Sequence, residues 1–252
     1  MTRIESQLTE KQRLIPGLIG MATPTNGAYL RAMQSQTQRR GTGSRELYRL
    51  RTVLYELDFA ELVENVRSSC WPKAEAQIAQ AAVALKAAGA EFLVITSNTG
   101  STLSQRASAE TGLSILDIVQ PTLTAVLSAH CRSAGLLSTR RTLDSGVYQG
   151  AAKPLGLQIV PPAPEVISRV EAIIFGELVF GEATRRGLDL LTEACEGFAR
   201  QGADAVILGC TDMTHLAEQL RPGTSLFVAD TTAIHAAAAA GVAWSGAMRW
   251  AG

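Results

Sequence analysis

Short apolar runs alternate along this chain with longer stretches rich in alanine and leucine, in which apolar residues recur every three or four positions. The first pattern suits buried strands and the second amphipathic helices, and their alternation predicts βα units stacked into parallel sheet. Strands are predicted over residues 16–20, 52–57, 92–96, 115–119, 134–138, 157–160, 205–209 and 226–229. Helices are predicted over 74–88 and 185–201, each stopped by a glycine, Gly89 or Gly202, at the position of a left-handed cap. Another helix is predicted to open at Pro121, with Leu123, Val126, Leu127 and His130 on one face.

Two segments of the chain match each other without a gap. Gly89-Ala90-Glu91-Phe92-Leu93-Val94-Ile95-Thr96-Ser97-Asn98-Thr99 aligns with Gly202-Ala203-Asp204-Ala205-Val206-Ile207-Leu208-Gly209-Cys210-Thr211-Asp212. Each is a helix cap, an acidic residue, a buried strand and a polar turn. A second pair in the same order, Pro16-Gly17-Leu18-Ile19-Gly20 and Ala134-Gly135-Leu136-Leu137-Ser138, supports an internal duplication. The expected architecture is α/β, with two Rossmann-like (flavodoxin-like) parallel-sheet domains related by pseudo-twofold symmetry. The first would comprise residues 14–120 and 231–252, and the second residues 121–230. Ligands of open α/β sheets bind beyond the carboxyl ends of the strands, so the turns at Ser97 and Cys210 are expected to face one cleft between the halves.

Charge removes several partners. The 252 residues carry 23 basic and 23 acidic side chains with no Lys/Arg-rich run, which argues against nucleic acid. No apolar run approaches the roughly 20 residues of a spanning helix, and the polar stretch from Met1 to Arg13 has no signal-peptide character. A cytoplasmic protein without a membrane partner is expected. The four cysteines show no CxxC spacing and no nearby histidine, so no metal is expected.

Cys210 is the candidate for chemistry. A thiol between a strand and the next helix sits among free backbone N–H groups at the positive end of a helix dipole, a setting that favours thiolate. Thr211 and Asp212 are expected to cap that helix. Cys195 shares a helical face with Leu188, Leu191 and Phe198 and reads as core, Cys131 as packing, and Cys70 as a loop residue beside Trp71-Pro72. His130 and His235 read as structural, and His215 stands too far round a helix from Cys210 for pairing to be expected. Asn98, Thr99, Thr139 and Thr211, with the N–H groups of their turns, form a set of neutral donors suited to a carboxylate, and Tyr148 is a further candidate. Gly41-Thr42-Gly43-Ser44 lacks the Gly-Lys-Ser/Thr of a phosphate loop and reads as a flexible connection.

These residues resemble the aspartate/glutamate racemase superfamily over nearly the whole chain, from Gly17-Leu18-Ile19-Gly20-Met21 to Asp230-Thr231-Thr232-Ala233-Ile234-His235. Gly209-Cys210-Thr211-Asp212 is similar to the family's second catalytic segment, Gly-Cys-Thr-Glu. Asp58-Phe59-Ala60-Glu61 and Ile173-Ile174-Phe175-Gly176-Glu177-Leu178 look most like the broad-specificity aspartate/glutamate racemase branch. The resemblance implies two α/β domains facing each other, each supplying one acid/base group to opposite faces of the substrate's α-carbon. It also implies a homodimer, and it implies inversion of configuration without pyridoxal phosphate or any other cofactor.

The chain departs from that pattern at several positions. Ser97-Asn98-Thr99 stands where most members have Cys-Asn-Thr, which breaks the two-thiol symmetry. Arylmalonate decarboxylases of the superfamily likewise keep only the second thiol. The residue after Cys-Thr is Asp212 rather than Glu, the first loop is shortened to Gly20-Met21-Ala22-Thr23-Pro24-Thr25-Asn26, and no lysine stands near Val179 for a substrate carboxylate. The expected function is proton transfer at the α-carbon of a small carboxylate, in first place an acidic amino acid, aspartate or glutamate. Cys210 and Ser97 are the expected catalytic pair, and Asn98, Thr99, Thr139, Thr211, Asp212, Met21 and Tyr148 the expected substrate-binding set. The alternatives are a one-thiol arylmalonate-type decarboxylase and a catalytically silent carboxylate-binding homologue.

Overall fold

A computed structural model describes residues 13–40 and 49–246. Gly41-Thr42-Gly43-Ser44 and the last residues of the chain lie outside the described residues. From the start the order is β1 (Pro16–Gly20), α1 (Thr23–Arg40), β2 (Val53–Glu56), α2 (Phe59–Arg67), α3 (Trp71–Ala87), β3 (Phe92–Ile95), α4 (Asn98–Ser101), α5 (Gln105–Thr111) and β4 (Ile115–Leu116). Then follow α6 (Val119–Ser128), β5 (Ser133–Leu137), α7 (Arg140–Asp144), α8 (Val147–Ala152), β6 (Gln158–Val160), α9 (Pro164–Gly176) and α10 (Arg185–Arg200). The chain continues through β7 (Ala205–Leu208), a 3-10 turn at Thr211–Met213, α11 (Thr214–Leu220), β8 (Phe227–Asp230) and α12 (Thr231–Ser245).

The strands make two four-stranded parallel sheets, ordered β2-β1-β3-β4 and β6-β5-β7-β8. The topology is the same in both. Gly17 pairs with Leu93, and Gly135 with Val206, which are the positions the two internal sequence matches equate. Even the acidic residue of the repeat has one task twice. Glu91 accepts the Ile15 N–H at 2.8 Å, and Asp204 accepts those of Arg132 and Ser133 at 2.9 and 3.2 Å, so each carboxylate anchors the start of the neighbouring strand. Gly89 and Gly202 take φ values of 94° and 82°, a backbone that lets the chain turn from helix to strand and that a Cβ would disfavour.

Apolar residues fill both faces of each sheet. α3 covers one face of the first sheet through Ile78, Ala82 and Leu85, and α1 and α12 cover the other through Tyr29, Met33, Ala236 and Ala240. Small residues on α12 allow this close packing. His235 lies fully buried there, its Nδ1 2.9 Å from the Tyr29 hydroxyl and its Nε2 3.1 Å from the Leu116 carbonyl. A carbonyl only accepts, so Nε2 carries the proton, and burial pushes the imidazole down to about 4, leaving it neutral at pH 7.

The structure departs from the expected strand near Asp117. The strand predicted over 115–119 has only two paired residues, because Asp117 caps the N–H groups of Val119 and Gln120 and starts α6 ahead of Pro121. His130 is not on a helix face: it follows the end of α6 at φ 61°, exposed, in a position glycine usually fills.

Candidate active site

A cavity opens beyond the carboxyl ends of the central strands of both sheets. Met21 follows β1, Ser97, Asn98, Thr99 and Gly100 follow β3, Thr139 follows β5, and Gly209, Cys210, Thr211 and Asp212 follow β7; all line the cavity. The two sequence-equivalent turns therefore meet. Thr211 Oγ1 donates to the Thr96 carbonyl at 3.0 Å, tying the turn after β7 to the end of β3. A Cβ at Gly209 would meet Leu136 Cδ1 at 2.7 Å and the Leu137 carbonyl oxygen at 3.1 Å, so a larger residue there would crowd β5.

Cys210 leaves β7 with extended backbone and is 9% exposed. Its thiol donates to Asp212 Oδ2 at 3.6 Å, and the Thr25 hydroxyl donates to Asp212 Oδ1. Thr25 Oγ1 in turn lies 3.4 Å from Nε2 of half-buried His215. His215, from which no pairing was expected, thus stands two hydrogen bonds behind Asp212 and does not line the cavity.

The electrostatics reverse one expectation. Burial pushes the Cys210 thiol well above its usual range, and the Asp212 carboxylate adds to the rise; the backbone N–H groups of Asp212 and Met213 offset part of it. The N–H groups of a helix start are present, but desolvation outweighs them, so the thiol is protonated at rest. Burial likewise raises the Asp212 carboxyl, against the lowering effect of the Thr25 and Cys210 hydrogen bonds. Nor are Thr211 and Asp212 helix caps. Their side chains point to Thr96 and to Thr25 and Cys210 instead.

At the equivalent turn of the first half, the Ser97 hydroxyl accepts the Gly100 N–H at 3.0 Å and caps α4. Asn98 is buried, with Nδ2 donating to Thr231 Oγ1 at 3.1 Å and Oδ1 accepting from the Tyr148 hydroxyl at 2.6 Å. Tyr148 does not reach the cavity wall. It is fully buried behind Asn98 and holds that amide, and burial raises its hydroxyl far above the ordinary phenol range. Thr99 Oγ1 lies 3.0 Å from both Thr139 Oγ1 and Thr142 Oγ1, closing a cluster of hydroxyls across the two halves.

The opposite wall was not foreseen as a site. Phe59, Leu62, Val63 and Val66 on α2 face the cavity, and Ile174 and Phe175 on α9 complete the apolar side. Arg67 stands at its edge, exposed, with its guanidinium 4.9 Å from the centre of the Phe175 ring. Cys70 is the half-buried residue before α3, outside the lining. Cys131 and Cys195 are buried in the second half, away from the cavity. Among the described residues no group of three or more His, Cys, Asp and Glu is placed to hold a metal ion.

The family model for Asp/Glu/hydantoin racemase matches residues 18–239. The chain belongs to the Asp/Glu/hydantoin racemase family. Among solved structures it resembles a Yersinia pestis protein assigned as an Asp/Glu racemase, with 31% identity over 91% of this chain and 99% of that one and a TM-score of 0.78. An aspartate racemase homologue from Pyrococcus horikoshii shares 25% identity over 92% of this chain and 99% of that one, with a TM-score of 0.73. Glutamate racemase from Aquifex pyrophilus has the same fold at 18% identity, covering 88% of this chain and 81% of that one with a TM-score of 0.62. Family membership gives this racemase-type chain an isomerase function of the Asp/Glu racemase kind. No helix among the described residues is long and apolar enough to cross a membrane.

Proposed function

We propose that this protein moves a proton at the α-carbon of a small carboxylate without a cofactor, with Cys210 as the acid/base thiol and Ser97 on the other side of the substrate. The observation that carries the reading is the convergence of two sequence-equivalent turns on one cavity, with a thiol on one and a hydroxyl on the other. In racemisation the Cys210 proton passes to Asp212, the thiolate takes the α-proton, and the electron pair spreads into the carboxylate. The Ser97 hydroxyl gives its proton to the far face and is reprotonated from solvent, while Asp212 releases its proton to solvent. Backbone N–H groups, that of Thr211 among them, and the hydroxyls of Thr99 and Thr139 stabilise the carboxylate as charge builds on it. Tyr148 acts through Asn98, and Met21 packs beside the Ser97 turn.

A second reading is favoured by a specific observation: among the described residues Cys210 is the sole thiol lining the cavity, and its burial favours the protonated form. Loss of carbon dioxide from an α-substituted malonate leaves an electron pair on the α-carbon, and the Cys210 S–H then supplies the proton from one face. No second acid is needed. The thiolate recovers its proton from solvent.

The units that close on the substrate are taken to be residues 14–120 with 231–252, and residues 121–230. A cytoplasmic homodimer completes the reading; exposed Leu54, Tyr55 and Phe180 offer apolar surface for a second copy, and sedimentation measures it. The deciding experiment is a screen of D- and L-aspartate and glutamate beside α-substituted malonates, following α-deuterium from D₂O and product chirality, with Cys210→Ala as control. Inverted amino acid carrying deuterium supports racemisation. A single-enantiomer acid from the malonate supports the one-thiol lyase, and silence across the panel with carboxylate binding retained points to a binding protein.

A further inference from the structure

The cavity has two unlike walls. Its polar wall is made by the turns after β3, β5 and β7, which present neutral hydroxyls and N–H groups together with the Asp212 carboxyl. Its other wall is an apolar stripe of α2 at i, i+3, i+4 and i+7, formed by Phe59, Leu62, Val63 and Val66, faced by Ile174 from α9. Such a stripe normally packs entirely into a core. Here part of it is left facing the cavity, with Phe59, Val63 and Val66 only half-buried.

We infer that the substrate of this site carries an apolar α-substituent, aryl or branched alkyl, in place of an acidic side chain. The inference rests on the reading that Cys210 works at the α-carbon, and it deepens that reading by naming the substrate class. One anionic group is met by the neutral donors of the polar wall. A second carboxylate would be buried against the α2 stripe, where none of these five side chains can donate a hydrogen bond, and transfer of an unpaired charge to such surroundings is strongly unfavourable. Among the described residues the one cationic residue lining the cavity, Arg67, is at the solvent-exposed edge over the face of Phe175.

The test compares two unreactive ligands by calorimetry with the intact protein: phenylacetate, which has one carboxylate and an aryl group, and succinate, which has two carboxylates. Phenylacetate is expected to bind at least tenfold more tightly and to shield Cys210 from iodoacetamide. Val63→Lys is expected to reverse the order. Phe59→Ala, a milder change should the lysine variant fail to fold, is expected to weaken phenylacetate several-fold and leave succinate unaltered. Equal or tighter binding of succinate by the parent protein overturns the inference. So does a loss of succinate binding in Arg67→Ala that leaves phenylacetate untouched, because Arg67 would then be a clamp for a second carboxylate. If the phenylacetate preference holds while neither phenylmalonate nor any amino acid is turned over, the proton-transfer reading fails and the assignment of the apolar wall stands.

Discussion

The turns at Ser97 and Cys210 occupy equivalent places, each after the third-placed strand of a sheet with the same order, and each next to the start of the following helical turn. Their chemistry has diverged. Ser97 spends its oxygen on the Gly100 N–H as a helix cap, whereas the Cys210 side chain caps nothing and donates to Asp212. Behind Ser97 lie Asn98, Tyr148 and Thr231, a set of neutral groups fixed by hydrogen bonds; behind Cys210 lie Asp212, Thr25 and His215, a set that can hold or pass a proton. A duplicated fold supplies two seats. What each seat does is decided by the groups behind it.

Moving the thiol to the other seat breaks this comparison most severely. The double variant Ser97→Cys with Cys210→Ser has the parent's side chains in exchanged places, and α-carbon turnover is expected to fall by about 10³-fold, within the range for loss of a positioned acid/base group. Recovery of parental rates would mean that the seats are equivalent. Ser97→Cys alone restores a thiol to both, and the rate of inversion at the α-carbon is expected to rise roughly tenfold or more, measured by polarimetry, since a thiol is a far better acid than an alcohol.

Asp212→Asn sharpens the contrast by altering only what stands behind Cys210. Asp212 raises the thiol's pKa, so its removal is expected to shift the pH profile of iodoacetamide alkylation to lower pH and to speed alkylation at neutral pH. An unchanged profile would leave burial as the whole cause. The smallest effect belongs to Tyr148→Phe. It removes the donor to Asn98 Oδ1 and leaves a buried acceptor unpaired, for an expected loss of about 1–2 kcal/mol in denaturant unfolding and a several-fold decrease in turnover.

Much of this arrangement was legible in the sequence. The alternation of apolar runs locates the eight strands of the described residues, and the match of 89–99 with 202–212 puts Ser97 and Cys210 in equivalent turns. Local pattern reached less far where distant contacts compete. The apolar run at 115–119 looked like a strand, yet Asp117 capping turns Val119 into helix. Thr25 and Asp212 are 187 residues apart, and nothing local to either announces their bond. A helix start favours thiolate, but at Cys210 burial and the neighbouring carboxylate override that effect. The stripe at Phe59, Leu62, Val63 and Val66 is plainly amphipathic in sequence; that it faces a cavity depends on where α9 packs.

The central claim is that Cys210 carries the proton to or from the α-carbon. It is tested most directly by proton NMR in D₂O, following the α-proton of whichever substrate the screen identifies, or the label entering its product, in the parent protein, Ser97→Ala and Cys210→Ala. Deuterium is expected to enter with the parent, to enter more slowly with Ser97→Ala, and not to enter above background with Cys210→Ala folded as the parent. Incorporation by Cys210→Ala at the parental rate would contradict the account.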